Sequence, residues 1–277
     1  MSRLLSIGIL QQARNGGGAA PGALLLDTYP NAVVAVSFSR SLKTGEAGGA
    51  IIRETNTSTT QQISAIDIQS GVAASFVGAG NNGVVQTIID HSGNGYHLEE
   101  TRAAEQLRIV TNGVLETGAG GKAALKQGTA GLVNNQYTYS SAIGTAMAAT
   151  NEATLVFVDT GTRRSLFSTG DNYENRGIPN NPSFPSKWKG ANFLQSTPNT
   201  PTLFTVTQTA AGDVVIRQNG VVQDTFNTTN LWLITTQPLF RFISGIQFSE
   251  LILWDKDYST SIAAIETDVA THYGITL

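Results

Sequence analysis

Apolar residues recur at every second position in short runs along most of this chain, and at every third or fourth position most clearly near its C-terminus. The stretch Gly245 to Tyr273 shows both periods in succession. Ile246, Phe248, Glu250, Ile252 and Trp254 fall on one face of an extended strand, and Leu251 and Leu253 on the other. A strand apolar on both faces belongs inside a layered β structure. Asp255-Lys256-Asp257 breaks the alternation, and Ser259 or Thr260 can cap a helix. Ile262, Ile265, Val269 and Tyr273 then follow at spacings of three, four and four, one apolar stripe that ends at Gly274, a C′ glycine. The helix, polar on its outer face, is expected to pack as a lid on a sheet edge.

Upstream, short β-patterned runs are separated by polar turns. Strands are expected at Val33 to Arg40, Ala50 to Glu54, Ile63 to Ile68 and Val84 to Asp90, with the polar TNTSTTQQ after the second. His91-Ser92-Gly93-Asn94-Gly95 reads as a tight turn with two glycines free to take positive φ. Leu107 to Val110, Val114-Leu115 and Ala123 to Lys126 follow. Thr154 to Asp159 is expected to form a hairpin with Ser165 to Ser168, and Leu203 to Gln208 with Asp213 to Arg217. Gln218-Asn219-Gly220 is a hairpin turn into Val221 to Phe226, with Leu231 to Thr235 and Leu239 to Ser244 completing the set. No repeat and no alternating βα pattern is visible. The expected fold is all-β: an antiparallel β-sandwich with a short C-terminal helix and an extended N-terminal arm.

Residues 1–26 form the expected arm and linker, and 27–277 the sandwich domain. Leu4, Ile7 and Leu10 line one side of a helix, while Leu5, Ile7 and Ile9 alternate equally well as a strand, with Gly8 weakening the helix. Asn15 to Gly22 is a glycine-rich hinge. Leu4, Leu5, Ile7, Ile9 and Leu10 have little to bury against in their own domain, so they read as an assembly arm that docks on another chain. A frayed terminus is the plain alternative. LLSIGIL after Arg3 could pass for a signal peptide, but QQARN lacks the small-residue cleavage pattern.

Composition narrows the chemistry. Of 277 residues, 40% are hydrophobic and 13% charged, too apolar for a disordered chain. A net charge of −3 gives no electrostatic case for nucleic-acid binding. There is no cysteine, so disulfides and thiolate metal sites are excluded, and three histidines (His91, His97, His272) argue against a multi-histidine site. No run is long enough to span a bilayer as a helix. No cofactor is expected; calcium is compatible with the composition but not indicated.

Asp90, Ser92, Asn94 and Gly95 could hold a metal or a sugar, but an Asp accepting backbone N–H bonds within its own turn is the simpler reading. Glu250, apolar on both sides, is either a glycosidase carboxylate or a buried glutamate satisfied by arginine or backbone. A glycosidase needs two carboxyls roughly 5–10 Å apart across a cleft. Asp90, Glu99, Glu100, Asp159, Asp171, Glu174 and Glu250 are scattered along the sequence and do not pair by spacing. A Ser–His–Asp triad built on His91 or His97 lacks a nucleophile-elbow sequence. The long loop Asp171 to Gly190 places Tyr173, Phe184 and Trp188 among polar groups. Asp171, Asn172, Tyr173, Arg176 and Trp188 are therefore the candidate glycan-binding residues, with rings to stack on a sugar and amides, carboxylate and guanidinium for its hydroxyls. Burial of these rings under a loop folded over the sandwich is the alternative.

The ending GIQFSELILW–DKDYSTSIAAIE resembles the close of concanavalin A-like, laminin G-like jelly-roll domains, and VVIRQNGVVQDTF resembles a hairpin of the same domains. AVSFSRSL (35–42), AIIRETNTSTTQQI (50–63), VVQTIIDHSGNG (84–95) and QLRIVTNGVLETGAGGKAALKQG (106–128) resemble, in order and spacing, a module common in bacteriophage virion proteins. That module is related to the catalytic domain of family 54 α-L-arabinofuranosidases. The match departs where an arginine-rich segment is reduced to Arg53 and a Trp-Tyr pair to Ile88-Ile89. The arabinofuranosidase catalytic residues find no position-by-position match. The resemblance implies a bacteriophage virion surface protein (head fibre, decoration, spike or tail fibre) that contacts other virion proteins through its arm, forms a homo-oligomer and contributes to host-glycan attachment. The alternatives are a glycoside hydrolase or depolymerase acting on cell-surface polysaccharide, and a capsid-stabilising protein with no ligand.

Overall fold

The computed structural model describes residues 23–126, 135–138, 141–150, 152–161, 187–188, 191–192, 200–227, 239–242 and 247–277. The first half runs α1 (Leu25–Thr28), β1 (Ala32–Ser37), β2 (Ala50–Glu54), β3 (Thr60–Ile63), α2 (Ala65–Gln69), α3 (Val72–Val77), β4 (Gly83–Ile88), β5 (Leu98–Glu99), β6 (Arg108–Thr111), β7 (Val114–Leu115) and β8 (Leu125–Lys126). The second half runs β9 (Asn135–Thr138), α4 (Ser141–Ala149), β10 (Ala153–Asp159), β11 (Lys187–Trp188), β12 (Ala191–Asn192), β13 (Thr202–Gln208), β14 (Asp213–Gln218), β15 (Val221–Asn227), β16 (Leu239–Phe242), β17 (Gln247–Trp254) and α5 (Ile262–Tyr273).

All described strand pairs are antiparallel. Fifteen of the strands form one hydrogen-bonded sheet along the path β15-β14-β13-β10-β17-β8-β6-β4-β5-β9-β16, with β1 on β17, β2 on β4, β3 on β2 and β7 on β6. The path turns a corner at β8, which holds only two residue pairs with β17 and one with β6. The layers on either side of that corner enclose the main core. Leu155, Phe157, Phe204, Val206, Leu251 and Leu253 come from one side, and Ala50, Ile52, Val85, Ile88, Ile109 and Tyr137 from the other. This is the expected all-β sandwich.

A second buried cluster lies on the outer face of the β17 layer, where α5 covers it. Ile265, Val269 and Tyr273 meet Val156, Val158, Ile252 and Trp254 there, together with Leu25 and Leu26. Leu25 and Leu26 are buried, so the chain enters the domain just inside the segment expected to be arm. Trp254 donates from its indole Nε1 to Tyr29 O at 3.0 Å and meets Tyr258 edge-on at 5.6 Å. α5 ends as its glycine requires. Gly274 takes φ 63°, and the Ile275 N–H reaches back to Ala270 O at 2.9 Å, which satisfies an otherwise open carbonyl.

Several expectations need correction. The simple alternation of β17 fails at one residue. Between Val158↔Glu250 and Asp159↔Phe248 the register shifts, leaving Ser249 as an extra residue. Such a bulge reverses facing. Phe248 therefore joins Leu251 and Leu253 in the inner core, stacked on Phe157 at 5.4 Å and edge-on to Phe38 at 5.5 Å, while Glu250 stays with Ile252 and Trp254. Neither Ser259 nor Thr260 caps α5. Its first residue is Ile262, and Asp257 instead binds the Ser259 N–H and hydroxyl at 2.8 and 3.0 Å. The strand expected from Ile63 to Ile68 stops at Ile63, and α2 follows. Ser64 accepts from the Asp67 N–H at 3.2 Å and donates to its carboxylate at 2.7 Å, a local N-cap that overrides the alternating pattern. α5 is also not the sole helix. Ile68, Ala73 and Val77 of α2 and α3, and Ile143 and Met147 of α4, fill the main core. β10 is flanked by β13 and β17. Its expected hairpin partner, 165–168, and the strand expected at 231–235 lie outside the described residues.

Candidate functional site

The ends of β1, β10 and β17 meet at one end of the sandwich, next to the C-terminal turn of α5. Ser37 is paired with Glu250, and Val158 with Glu250 on the other side. β10 leaves this end toward Gly161, and the chain returns to it at β13, whose Thr202 pairs with Asp159. The long loop between them therefore springs from here.

Glu250 is fully buried and sits at the centre of a polar cluster. Arg40 grips it with two parallel bonds, Nε to Oε2 at 2.9 Å and Nη2 to Oε1 at 2.7 Å. Its third nitrogen, Nη1, reaches Asp268 of α5 at 2.5 Å. The Tyr273 hydroxyl donates to Glu250 Oε2 at 3.1 Å. Ser39 Oγ lies 2.8 Å from His272 Nε2 and 3.2 Å from the Tyr273 hydroxyl. Burial opposes ionisation of Glu250, but the guanidinium charge and its two hydrogen bonds outweigh it and hold the carboxyl below its ordinary range. Burial, reinforced by the Arg40 charge, lowers His272 to about 4, so it is neutral at pH 7. Burial, with Glu250 next to it, pushes Tyr273 up, so it remains a donor. The carboxylate has no lone pair turned to solvent, and the arrangement ties β17, β1 and α5 together.

Below this cluster, Asp159 Oδ1 accepts from the N–H groups of Gly161 and Gln247, both at 2.9 Å. The hydroxyls of Thr160 and Ser249 are buried and have no hydrogen-bond partner among the described residues. Both lie close to the α-carbon of Gly118, where a Cβ would come within 3.2 and 3.0 Å of them.

Asp90 stands on the far side of β1 and does structural work. Its Oδ1 accepts from the N–H groups of Ala35 and Ser92, both at 2.9 Å. Its Oδ2 accepts from the Ser92 hydroxyl at 2.6 Å and the Tyr96 N–H at 3.1 Å. Asn94 donates from Nδ2 to the carbonyls of Ala32 and Val33 at 2.9 and 3.0 Å. Gly93 and Gly95 both take positive φ. The turn is thus stitched to the start of β1. His91 is buried beside it, and burial lowers its pKa. Its ring leaves no space for a side chain on Gly48, whose Cβ would fall 1.6 Å from Nε2. Among the described residues no group of three His, Asp or Glu side chains is placed to hold a metal ion.

Of the residues read from the sequence as glycan contacts, Asp171, Asn172, Tyr173 and Arg176 lie outside the described residues, as do Leu4, Leu5, Ile7, Ile9 and Leu10 of the arm. Trp188 is described for its backbone alone, in the β11–β12 hairpin where it pairs with Ala191. Sequence reasoning missed Arg40 as the partner of Glu250, and Ser39 and His272 as members of the surrounding cluster. Arg40 offered one signal, a lone cation closing the apolar run AVSFSR.

No family model matches the sequence, and no curated relative matches it. Solved structures share the fold. An arabinofuranosidase complexed with arabinofuranosyl-α-1,2-xylobiose superposes with a TM-score of 0.58 at 13% identity, over 90% of this chain and 64% of its own. A GH54 α-L-arabinofuranosidase soaked with a cyclic sulfate inhibitor gives a TM-score of 0.56, with the same identity and coverage. The chain therefore spans just under two thirds of the length of these enzymes, and at this identity the likeness is one of fold.

Proposed function

We propose that this chain is a non-catalytic concanavalin A-like module on the surface of a bacteriophage particle. It would be a structural component of a head fibre, decoration, spike or tail fibre assembly. In this reading it assembles as a homo-oligomer and with other virion proteins through its N-terminal arm, and it contributes to host-glycan attachment through the loop that springs from the Glu250 end.

The observation that carries the non-catalytic part is the condition of the buried carboxylates. A glycosidase keeps one carboxyl free to protonate the leaving oxygen and a second free to attack or to activate water. Here Glu54 accepts from the N–H groups of Asn56 and Thr57 at 2.8 and 2.6 Å, and Glu100 is clasped by Arg102. Glu266 is bonded to the Thr205 hydroxyl. Asp90, Asp159 and Glu250 are committed as described above. Each of these groups stabilises the fold through bonds that a substrate would have to break. The virion assignment draws its support from the ordered run of motifs between residues 35 and 128.

Two measurements test this reading. Purified protein incubated with host polysaccharide should release no reducing ends; steady release would move the protein to the depolymerase class. Binding to a glycan array should be detectable when many copies are displayed, because contacts to one sugar are weak and multivalency multiplies them. Trp188→Ala and Tyr173→Ala should lower that binding without shifting the melting temperature. A blank array with folded protein would leave the capsid-stabilising role.

A further inference from the structure

At the end of the sandwich opposite the Glu250 cluster, a pocket of about 180 Å³ opens between the start of β1 and the turn after β4. Leu26, Pro30, Asn31 and Ala32 form one wall, Ser92, Gly93 and Asn94 the other, and Lys43 closes it. From this geometry we infer that the pocket is a binding site for a single neutral sugar ring or a similar small polyol. The site is independent of the loop between β10 and β13.

The walls are fixed before anything binds. Lys43 Nζ donates to Ser92 O at 2.7 Å, Asn94 Nδ2 holds Ala32 O, and the Leu26 N–H holds Leu42 O at 2.9 Å. A pocket that is already formed avoids the ordering cost of making one. At about 180 Å³ it is smaller than the roughly 300–1,000 Å³ of drug-sized sites, so it suits one ring.

The chemistry inside is mixed in a way that hydroxyls match. Lys43 has three N–H donors and one is committed to Ser92 O. The Asn94 carboxamide spends its nitrogen on Ala32 and Val33 and keeps its oxygen as an acceptor. The Asn31 carboxamide and the Gly93 N–H carry no hydrogen bond among the described residues. Donors and acceptors thus line the same space, and a hydroxyl can serve both. An anion would use the donors alone. It would also meet Glu46, whose carboxylate, like the Lys43 ammonium, flanks Gly93: a Cβ there would lie 3.3 Å from Glu46 Oε1 and 2.7 Å from Lys43 Nζ. Asp27, bonded to Thr44, adds a second carboxylate to the surroundings of Lys43, and Asp90 lies behind Ser92. One cation among three carboxylates does not draw in negative charge. Pro30, exposed at the rim, offers an apolar edge to the C–H face of a ring.

The test is an amide chemical-shift titration of the full chain with glucose, galactose and arabinose as neutral probes, and with glucuronic acid and inorganic phosphate as charged ones. A neutral sugar should shift the amides of Asn31, Lys43, Gly93 and Asn94 saturably in the millimolar range. Lys43→Met should weaken this about tenfold, the loss of a hydrogen bond to a charged donor. Asn31→Gly should weaken it severalfold, and the fold should survive, because Asn31 already sits at φ 65°, which glycine adopts freely. If Lys43→Met melts early, Asn31→Gly decides alone. Saturable shifts with phosphate or glucuronic acid only, no saturation with any neutral sugar, or undiminished binding in the folded variants would each overturn the proposal. Trp188→Ala, which probes the loop reading, should leave these shifts intact, so the two ideas fail separately.

Discussion

Two glutamates under α5 are both buried, yet the protein treats them in opposite ways. Glu250, near the C-terminal turn of the helix, faces Arg40 in a two-bond grip and is held ionised. Glu266, one turn and a half earlier on the helix itself, meets the Thr205 hydroxyl, with Arg217 farther off; burial dominates and pushes its carboxyl up. Burial alone therefore does not set the charge of a carboxylate. A geometrically matched cation does, because its attraction grows in the same low dielectric that penalises the isolated charge.

The sharpest way to break this contrast is Arg40→Met. It strands Glu250 as an unpaired charge and should cost about 3–5 kcal/mol, measured by urea unfolding. Arg40→Met combined with Glu250→Met should recover most of that loss, since an apolar pair of similar volume removes the stranded charge. If the double variant is as unstable as the single one, the pair does more than neutralise itself. Trp254→Ala strikes the apolar half of the same seam. It should cost about 3 kcal/mol, the low end for a buried tryptophan, because α5 can settle inward over the space.

Smaller effects sharpen the comparison through pH. His272 sits at about 4 in the folded chain against 6.5 when unfolded. The unfolded chain therefore binds the proton first on acidification, and the stability tied to the neutral imidazole is whole above about pH 6.5 and drains away as pH falls toward 4. Melting temperature followed across that window should drop, and His272→Gln should flatten the drop. The lowered Glu250 adds a loss of the same sign further into acid. The raised Glu266 has the opposite sign: the folded chain takes up its proton before the unfolded one, so it gains stability as pH falls. Glu266→Gln should show the smallest effect, no loss at neutral pH and a steeper acid-side decline. A large loss at pH 7 would mean that the charge itself is needed there.

The elements were legible in the sequence wherever their signal is local. The stripe Ile262, Ile265, Val269 and Tyr273 with Gly274 behind it defines α5, because helical facing repeats within one turn of chain. Asn219-Gly220 makes the β14–β15 hairpin, both residues taking the positive φ that the turn demands. The apolar runs mark β1, β10, β13 and β17 for the same reason. Even Ser64 and Asp67 carried a local capping signal that the alternating pattern masked.

What only the tertiary structure decided is which distant groups meet. Arg40 and Glu250 are 210 residues apart, and the bulge at Ser249 that keeps Glu250 on the helix side while turning Phe248 inward depends on the neighbours of β17. Lys43 meets Ser92 only because the turn after β4 is stitched to β1. Period and propensity act over a few residues and can be read along the chain. Charge compensation and pocket lining depend on which strands lie side by side, which follows from packing the whole core at once.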